Sequence, residues 1–461
     1  MTSTETIYRK LLKNLRAFLT VVLGLSLAVI TPTGAAAQSV IRDSEIENLL
    51  RDYLNPILKA AGLKSRAIQM ILINDGSINA FVAGGQRIFI HTGLLMASKT
   101  PNQLIGVLAH ETAHIAGGDL LSLRRQLDKA STATIIGALL GVAAAVGAAA
   151  AGGGSSGQAG VGAVAGAQAI GRRTLLQYQR SQEARADQAA FKYLDRSGQS
   201  ARGMIEMFQK LADNALLSLR NVDPYSLSHP VPRSRIAFLE KNIGKSRFYN
   251  KKDSAELILR HRMMQAKLRG FQSSPQSVFR RYPVSDTSLP ARYARAISYY
   301  RNVDIKRALR EIDGLIKSQP QNPYFWELKG QALFENGKSQ RAIQPLKKAV
   351  SLKPKAGLIR ILLAQAMLAA NSKKNAKDVI RQLTIARRSE PNSPSLYRLL
   401  AIAQAQLGRL GQADLASAES AFRFGDLELA KVRATKAKRG LKKGSPGWIR
   451  ANDILNFKHR K

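Results

Sequence analysis

Residues 102–118 read NQLIGVLAHETAHIAGG. Leu104, Val107, Leu108 and Ile115 recur at helical spacing and Gly117-Gly118 is a stop signal, so the pattern predicts a helix that ends there. On that helix His110 and His114 lie one turn apart on one face, where both imidazoles can aim a nitrogen at one ion. Glu111 stands beside them, placed to take a proton from water whose pKa a metal such as zinc lowers to about 7. Two histidines leave such a site incomplete, because a catalytic zinc takes a third protein ligand and keeps a fourth position for water. The chain contains no cysteine, so the third ligand is a carboxylate or another histidine. EARAD, residues 183–187, puts Glu183 and Asp187 on one helical face, so that one can bind metal while the other orients a ligand histidine.

Upstream, DSEIENLLRDYLNPILKAAGL has the spacing of an amphipathic helix with an acidic first turn, and AIQMILIND reads as a strand. INAFVA and RIFIHTG are two further strands joined by GGQ, a hairpin signal. Downstream, residues 133–151 carry no charge and a Gly/Ser/Ala-rich tract runs to Gly171. One membrane crossing there would part His110 from Glu183, so the expectation is an Ala/Gly hairpin over 133–171, near the site and able to dip into a bilayer. Helices are expected over the EARAD segment, over ARGMIEMFQKLADNALL and after the prolines of SHPVPRSRIAFLEKNIG. Residues 253–288 read as a helical connector.

Beyond Pro290 a period emerges. Pro320, Pro354 and Pro391 close successive apolar helical pairs at spacings near the 34 residues of the tetratricopeptide repeat. In PYFWELKGQALFENGKSQRAIQPLKKAVSLKP, Trp326, Gly330, Leu333, Ala342, Leu346, Ala349 and Pro354 fall where that repeat needs aromatic, small and apolar residues. About four repeats are expected over 289–430, enough for a continuous core and a concave protein-binding face; NSKKNAKD looks like an insertion in the third.

The 461 residues, 45% of them hydrophobic, accommodate two domains with accessory segments. Residues 1–37 have the basic start, apolar core and small-residue end of a secretory signal peptide, which predicts export to the periplasm; an uncleaved anchor is the alternative. The net charge of +40 favours anionic surfaces. For an exported chain these are anionic lipid or acidic protein and not nucleic acid. Residues 431–461 hold eleven Lys and Arg against Asp453 alone and read as a basic tail suited to peripheral membrane contact. His91 reads as structural, and His261 and His459, among basic residues, as surface.

NAFVAGGQRIFIHTGLL, VLAHETAHIAGGD, RSQEARAD and SHPVPRSRI, in that order and followed by tetratricopeptide repeats, resemble the BepA-like periplasmic zinc metallopeptidases, relatives of the HtpX and CAAX prenyl proteases. The resemblance spans about residues 45–430. It implies an α+β architecture: a mostly helical gluzincin-type domain with a small β-sheet, residues 38–252, then an all-α tetratricopeptide solenoid. It further implies one zinc ion per chain on His110, His114 and Glu183, Glu111 as catalytic base, and Asp187 supporting a histidine with Arg180 close by. Asn79, Ala80 and Phe81 would form an edge strand that pairs with extended substrate. His229, of the His-Pro motif, would reach the zinc and hold the enzyme latent. The implied substrates are misfolded or stalled outer-membrane β-barrel precursors, whose unpaired strand edges such a cleft selects, and the repeats would dock on the barrel-assembly machinery. A chaperone or assembly adaptor with latent or absent activity is the rival reading. Ala113, Gln179 and Asp119 depart from the family pattern; where Asp119 stands no further metal ligand is expected.

Overall fold

The computed structural model describes residues 40–119, 180–217, 229, 231 and 233–458. The expected signal peptide at 1–37, the Ala/Gly tract at 133–171 and His459 lie outside them. Helix α1 (Ser44–Ala60) follows the amphipathic spacing, burying Ile46, Leu49, Leu50, Tyr53, Leu54, Ile57 and Leu58. Its start is a reciprocal cap: Asp43 Oδ1 accepts from the Ile46 amide at 2.9 Å while the Asp43 amide donates to Glu47 Oε1 at 3.0 Å.

Four strands follow the order β1-β2-β4-β3, with β1 Val40–Ile41, β2 Gln69–Ile73, β3 Ala80–Ala83 and β4 Arg87–His91. β2 and β4 run parallel from Gln69↔Arg87 to Ile73↔His91, and β3 returns antiparallel to β4. Gly84 and Gly85 take φ of 59° and 93° in the hairpin turn, a backbone that costs a glycine nothing. Helix α2 (Thr92–Ala97) leads from β4 into α3 (Pro101–Gly117), which carries both histidines. Thr100 caps α3, Pro101 occupies its first turn and Gly118 closes it. Every residue from Gln103 to His114 is buried, so α3 is a core helix covered on all sides.

Helices α4 (180–196) and α5 (Arg202–Leu217) follow, then α6 (Arg233–Ile243). α5 can lie against α3 because glycines line the crossing. A Cβ on Gly106 would stand 2.6 Å from Met204 Cα, and one on Gly203 would stand 2.5 Å from the Asn102 carbonyl carbon. The Asn102 side chain then donates to the Ser200 carbonyl and accepts from the Gly203 amide. In this way α3, α4 and α5 share one core with α1 and the sheet.

The C-terminal half is helical: α7 (Ala255–Gln272), α8 (Pro275–Arg281), then pairs α9 (Leu289–Arg301) with α10 (Ile305–Ser318) and α11 (Pro323–Glu335) with α12 (Ser339–Leu352). α13 (Gly357–Ala386) is two helices merged across a break at Asn371, so the stretch expected as an insertion begins at a kink and the helix then resumes. α14 (Pro394–Gln406) pairs with α15 (Leu410–Phe424), and α16 (Leu427–Gly440) with α17 (Pro446–Leu455). The last pair corrects the sequence reading of a basic tail. Ala430, Ala434, Ala437, Ala451 and Ile454 are buried together with Ala418 and Ala421, so these helices extend the stack. The charge run had concealed an alanine stripe at helical spacing. No helix among the described residues is long and apolar enough to cross a membrane.

The connector is likewise less independent than expected. Met264 and Leu268 of α7 join the first core, and His261, expected at the surface, is buried with its ring nitrogens 3.1 Å from Tyr53 Oη and 3.3 Å from Ser98 Oγ. Lys267 Nζ is buried 2.7 Å from Asp43 Oδ2 and 3.1 Å from Glu45 Oε2, and Tyr293 Oη donates to Glu45 at 2.7 Å. Arg42 reaches Glu390 at 2.8 Å. The start of α1 is thus tied by ion pairs to α7 and to the connection between α13 and α14, and by a hydrogen bond to α9.

Glu327, on α11, faces the same cluster. Burial, opposed by Lys267 and reinforced by Asp43 and Glu45, pushes its carboxyl up to about 8, whereas an exposed glutamate titrates near 4.3. The folded chain therefore keeps a proton that the unfolded chain releases. This stabilisation is complete below about pH 4.3 and is lost as pH rises through about 8. Glu327→Gln is expected to flatten the fall in melting temperature between about pH 5 and 9; an unchanged slope in thermal melts would place the titration elsewhere.

Candidate metal centre

His110 and His114 project from the buried middle of α3, and each has a carboxylate against its Nδ1. Asp187 Oδ1, from α4, lies 3.0 Å from His110 Nδ1, and Asp119 Oδ2, just past the Gly118 cap, lies 2.8 Å from His114 Nδ1. A carboxylate there keeps the proton on Nδ1 and leaves the Nε2 lone pair pointing inward. The two Nε2 atoms come within 3.1 Å of each other, and Glu183 closes the triangle with Oε2 3.2 Å from His110 Nε2 and Oε1 3.3 Å from His114 Nε2. His229 approaches from the segment before α6, its Nδ1 2.9 Å from Glu183 Oε1 and its Nε2 3.6 Å from Glu111 Oε1. One donor atom from each of His110, His114, Glu183 and His229 lies within 4.8 Å of the others, and all four residues are buried.

The donor set fits a small divalent ion. Ligand arms of 2.0–2.1 Å in a tetrahedron place neighbouring donors about 3.3 Å apart, close to the separations among His110, His114 and Glu183. Two inward lone pairs at 3.1 Å repel unless a cation lies between them. Glu111 is fully buried, and neither of its carboxylate oxygens has a hydrogen-bond partner among the described residues. Such a group carries a desolvation cost that a nearby cation or a water offsets.

Electrostatics point the same way. Burial opposes a charged His114 ring, but Asp119 and Glu183 outweigh it and lift the ring to about 10. His110 is raised against its own burial by Asp187 and Glu183. Burial would raise the Glu183 carboxyl, yet His110, His114 and His229 hold it far below the usual carboxylate range; burial opposes ionisation of Asp187 too, but His110 and Arg235 lower its carboxyl. The pocket therefore favours positive charge at its centre, which protons or a metal can supply.

The structure brings His110, Glu111, His114, Glu183, Asp187 and His229 together. Arg180 does not join them: it is exposed at the start of α4, and the cation expected of it comes from Arg235 instead. Arg235 Nε and Nη2 each donate to Asp187 at 2.8 Å, and its Nη1 lies 2.9 Å from Glu183 Oε2. Its guanidinium also stacks on Phe208, whose ring takes the edge of His110. Sequence reading missed Arg235 and Asp119, although both lie inside the motifs that were singled out. A buried acid pair requires a cation, and Arg235 follows His229 on the same short segment. Asn79 and Ala80 are buried and Phe81 half-buried at the start of β3, which is the outer strand among the described residues and packs against α3. His91 is buried with Nδ1 2.7 Å from Ser77 Oγ, in keeping with a structural role.

Residues 42–243 match the family model of peptidase family M48, and residues 293–357 match that of the tetratricopeptide repeat. The chain carries an M48 peptidase domain followed by tetratricopeptide repeats. Over 408 residues it is 26% identical to the β-barrel assembly-enhancing protease of Escherichia coli K12, covering 86% of this chain and 80% of the relative. It is 24% identical over 419 residues to the Yersinia pestis protein of the same name, covering 89% and 82%. A protease HtpX homolog of Janthinobacterium is 36% identical over 84 residues, 17% of this chain and 28% of the relative. M48 peptidases are metal-dependent, and the buried donor cluster lies within the matched segment.

Asp119→Ala frees the His114 ring and is expected to weaken divalent-metal binding about ten- to hundredfold, read by competition with a chromophoric chelator. Unchanged affinity would show that Asp119 does not orient the ligand.

Proposed function

We propose that this chain is an exported zinc endopeptidase with one zinc per chain, held by His110, His114 and Glu183. The observation that carries the reading is the convergence of three donor atoms at 3.1–3.3 Å beside a buried Glu111 carboxylate whose oxygens accept no hydrogen bond among the described residues. Zinc bound there supplies Lewis acidity that polarises a peptide carbonyl and acidifies water. Glu111 takes the proton of the attacking water and hands it to the leaving amine. Asp187 and Asp119 keep the histidine protons on Nδ1, and Arg235 holds Glu183 and Asp187 in register. Asn79, Ala80 and Phe81 offer an outer strand beside α3 along which an extended substrate can pair. This selects chains with unpaired strand edges, so we assign misfolded or stalled outer-membrane β-barrel precursors as substrates, in line with the names of the relatives that share most of the chain. The leader-like residues 1–37 support a periplasmic location, and in this reading the repeats dock on barrel-assembly machinery.

The position of His229 favours a second state. With a ring nitrogen among the four donors and 3.6 Å from Glu111, it can occupy the place that water or substrate needs, which yields a latent enzyme or an adaptor.

The test uses the purified mature chain, Glu111→Gln and His229→Ala, scored for zinc content and for cleavage of an unfolded outer-membrane barrel protein. Glu111→Gln is expected to keep about one zinc per chain and to lose about 10²- to 10⁴-fold in rate, while His229→Ala cleaves faster than the parent. Zinc binding with no cleavage by any form would favour the adaptor.

A further inference from the structure

The repeats carry an apolar groove of about 650 Å³, walled by α14 and α16 and floored by α15. Ile402 stands on one wall, Leu429 on the other and Phe424 at the end of the floor, with 42%, 45% and 80% of their surfaces exposed. Val432, one turn beyond Leu429, is 54% exposed. Phe424 is the last residue of α15, fixed there by the left-handed Gly425 cap. The hydroxyls in the floor are engaged by backbone carbonyls, Ser417 by Ala413 of its own helix and Ser420 by Pro394 of α14, both at 2.9 Å. The floor therefore presents carbon, and an exposed apolar surface of this kind marks a binding site.

Charge selects the occupant. Arg398 precedes Ile402 by one turn on α14, while Arg433 follows Leu429 by one turn on α16. Short connections make successive helices antiparallel, so α14 and α16 run in the same direction; Arg398, four residues past the start of α14, and Arg433, six past the start of α16, therefore stand at a similar level on the two walls of the groove. Arg398 has no ion pair among the described residues, and Arg433 has only a long contact to Asp414 at 3.4 Å. The acid of the lining, Asp426, is engaged in capping α16 through the Leu429 amide. Residues 394–458 hold twelve Lys and Arg against five Asp and Glu. A second copy, also at +40, would be repelled.

We infer that this groove docks a partner-protein segment that presents large apolar side chains followed by carboxylates, Phe424 supplying the apolar anchor at the end of the floor and Arg398 and Arg433 the charge contacts from the two walls. This surface is separate from the metal centre, and its test reads binding alone.

A fluorescein-labelled peptide of about twelve residues, with Leu and Phe in one half and Glu in the other, is titrated against the full mature chain, alongside a control with Gln in place of Glu. The Glu peptide is expected to bind at least about tenfold more tightly, with an affinity that falls as salt rises. Phe424→Ala should weaken it about tenfold without changing the melting temperature. Arg398→Glu with Arg433→Glu should abolish the preference for Glu over Gln. Equal binding by the parent and Phe424→Ala would overturn the proposal, because the peptide would then be held by general positive charge. A concentration-dependent dimer in sedimentation that Phe424→Ala dissolves would overturn it in favour of a second copy.

Discussion

The metal centre depends on one constraint: α3 buries ionisable groups in mid-helix, and a buried charge persists only with a partner of opposite sign. His110 and Glu111 are fully buried. Their surroundings follow from that. α4 brings Glu183 and Asp187 to the histidines, the turn after Gly118 brings Asp119, and the segment before α6 brings His229 and Arg235. Arg235 bridges the two acids of α4, so each carboxylate meets both a histidine and a guanidinium. The glycines at the α3–α5 crossing serve the same end, since a wider gap would open the cluster to water and weaken every interaction in it.

How much of this was legible in the sequence follows from how local each signal is. The HETAH helix, the GGQ hairpin and the repeats were readable because spacing, a turn signal and a period each lie within a few dozen residues. Glu183 and Asp187 were readable as a pair because both sit on one helical face. Arg235 and Asp119 were harder, because an arginine or an aspartate carries no signal of its own until burial sets the requirement for a partner. Arg180, in the same segment as Glu183, drew the expectation that Arg235 fulfils. His261 and the helices after residue 430 were misjudged for a related reason. Many charges in a window suggested solvent, while a single buried face decided the packing, with Ala430, Ala434 and Ala437 one turn apart along α16.

The link between the two halves was the least legible part, because it joins residues more than two hundred positions apart. Lys267, Asp43, Glu45 and Tyr293 form a buried polar network in which each member has a partner. Removing one member of such a network leaves the rest unpaired, which costs more than the pair itself contributes. The first helix of the peptidase half is therefore committed to the repeats at its N-terminus and to the metal-centre core along its length. A linker of comparable length with solvated charges would leave the halves free to reorient.

That commitment bears on how a peptidase of this kind can be selective. An outer strand recognises any extended backbone, because ladder hydrogen bonds carry little side-chain information. Discrimination has to come from a second surface, and its effect is largest when the two are held at a fixed separation, since the second contact then forms at high effective concentration. The buried Lys267 network and the Arg42–Glu390 pair anchor the repeats to the helix that begins the peptidase half. Under the proposed function, selectivity is a property of the join as much as of either half: a strand beside the donor cluster and a docking surface on the repeats form two contacts, and the buried charges between the halves fix their separation.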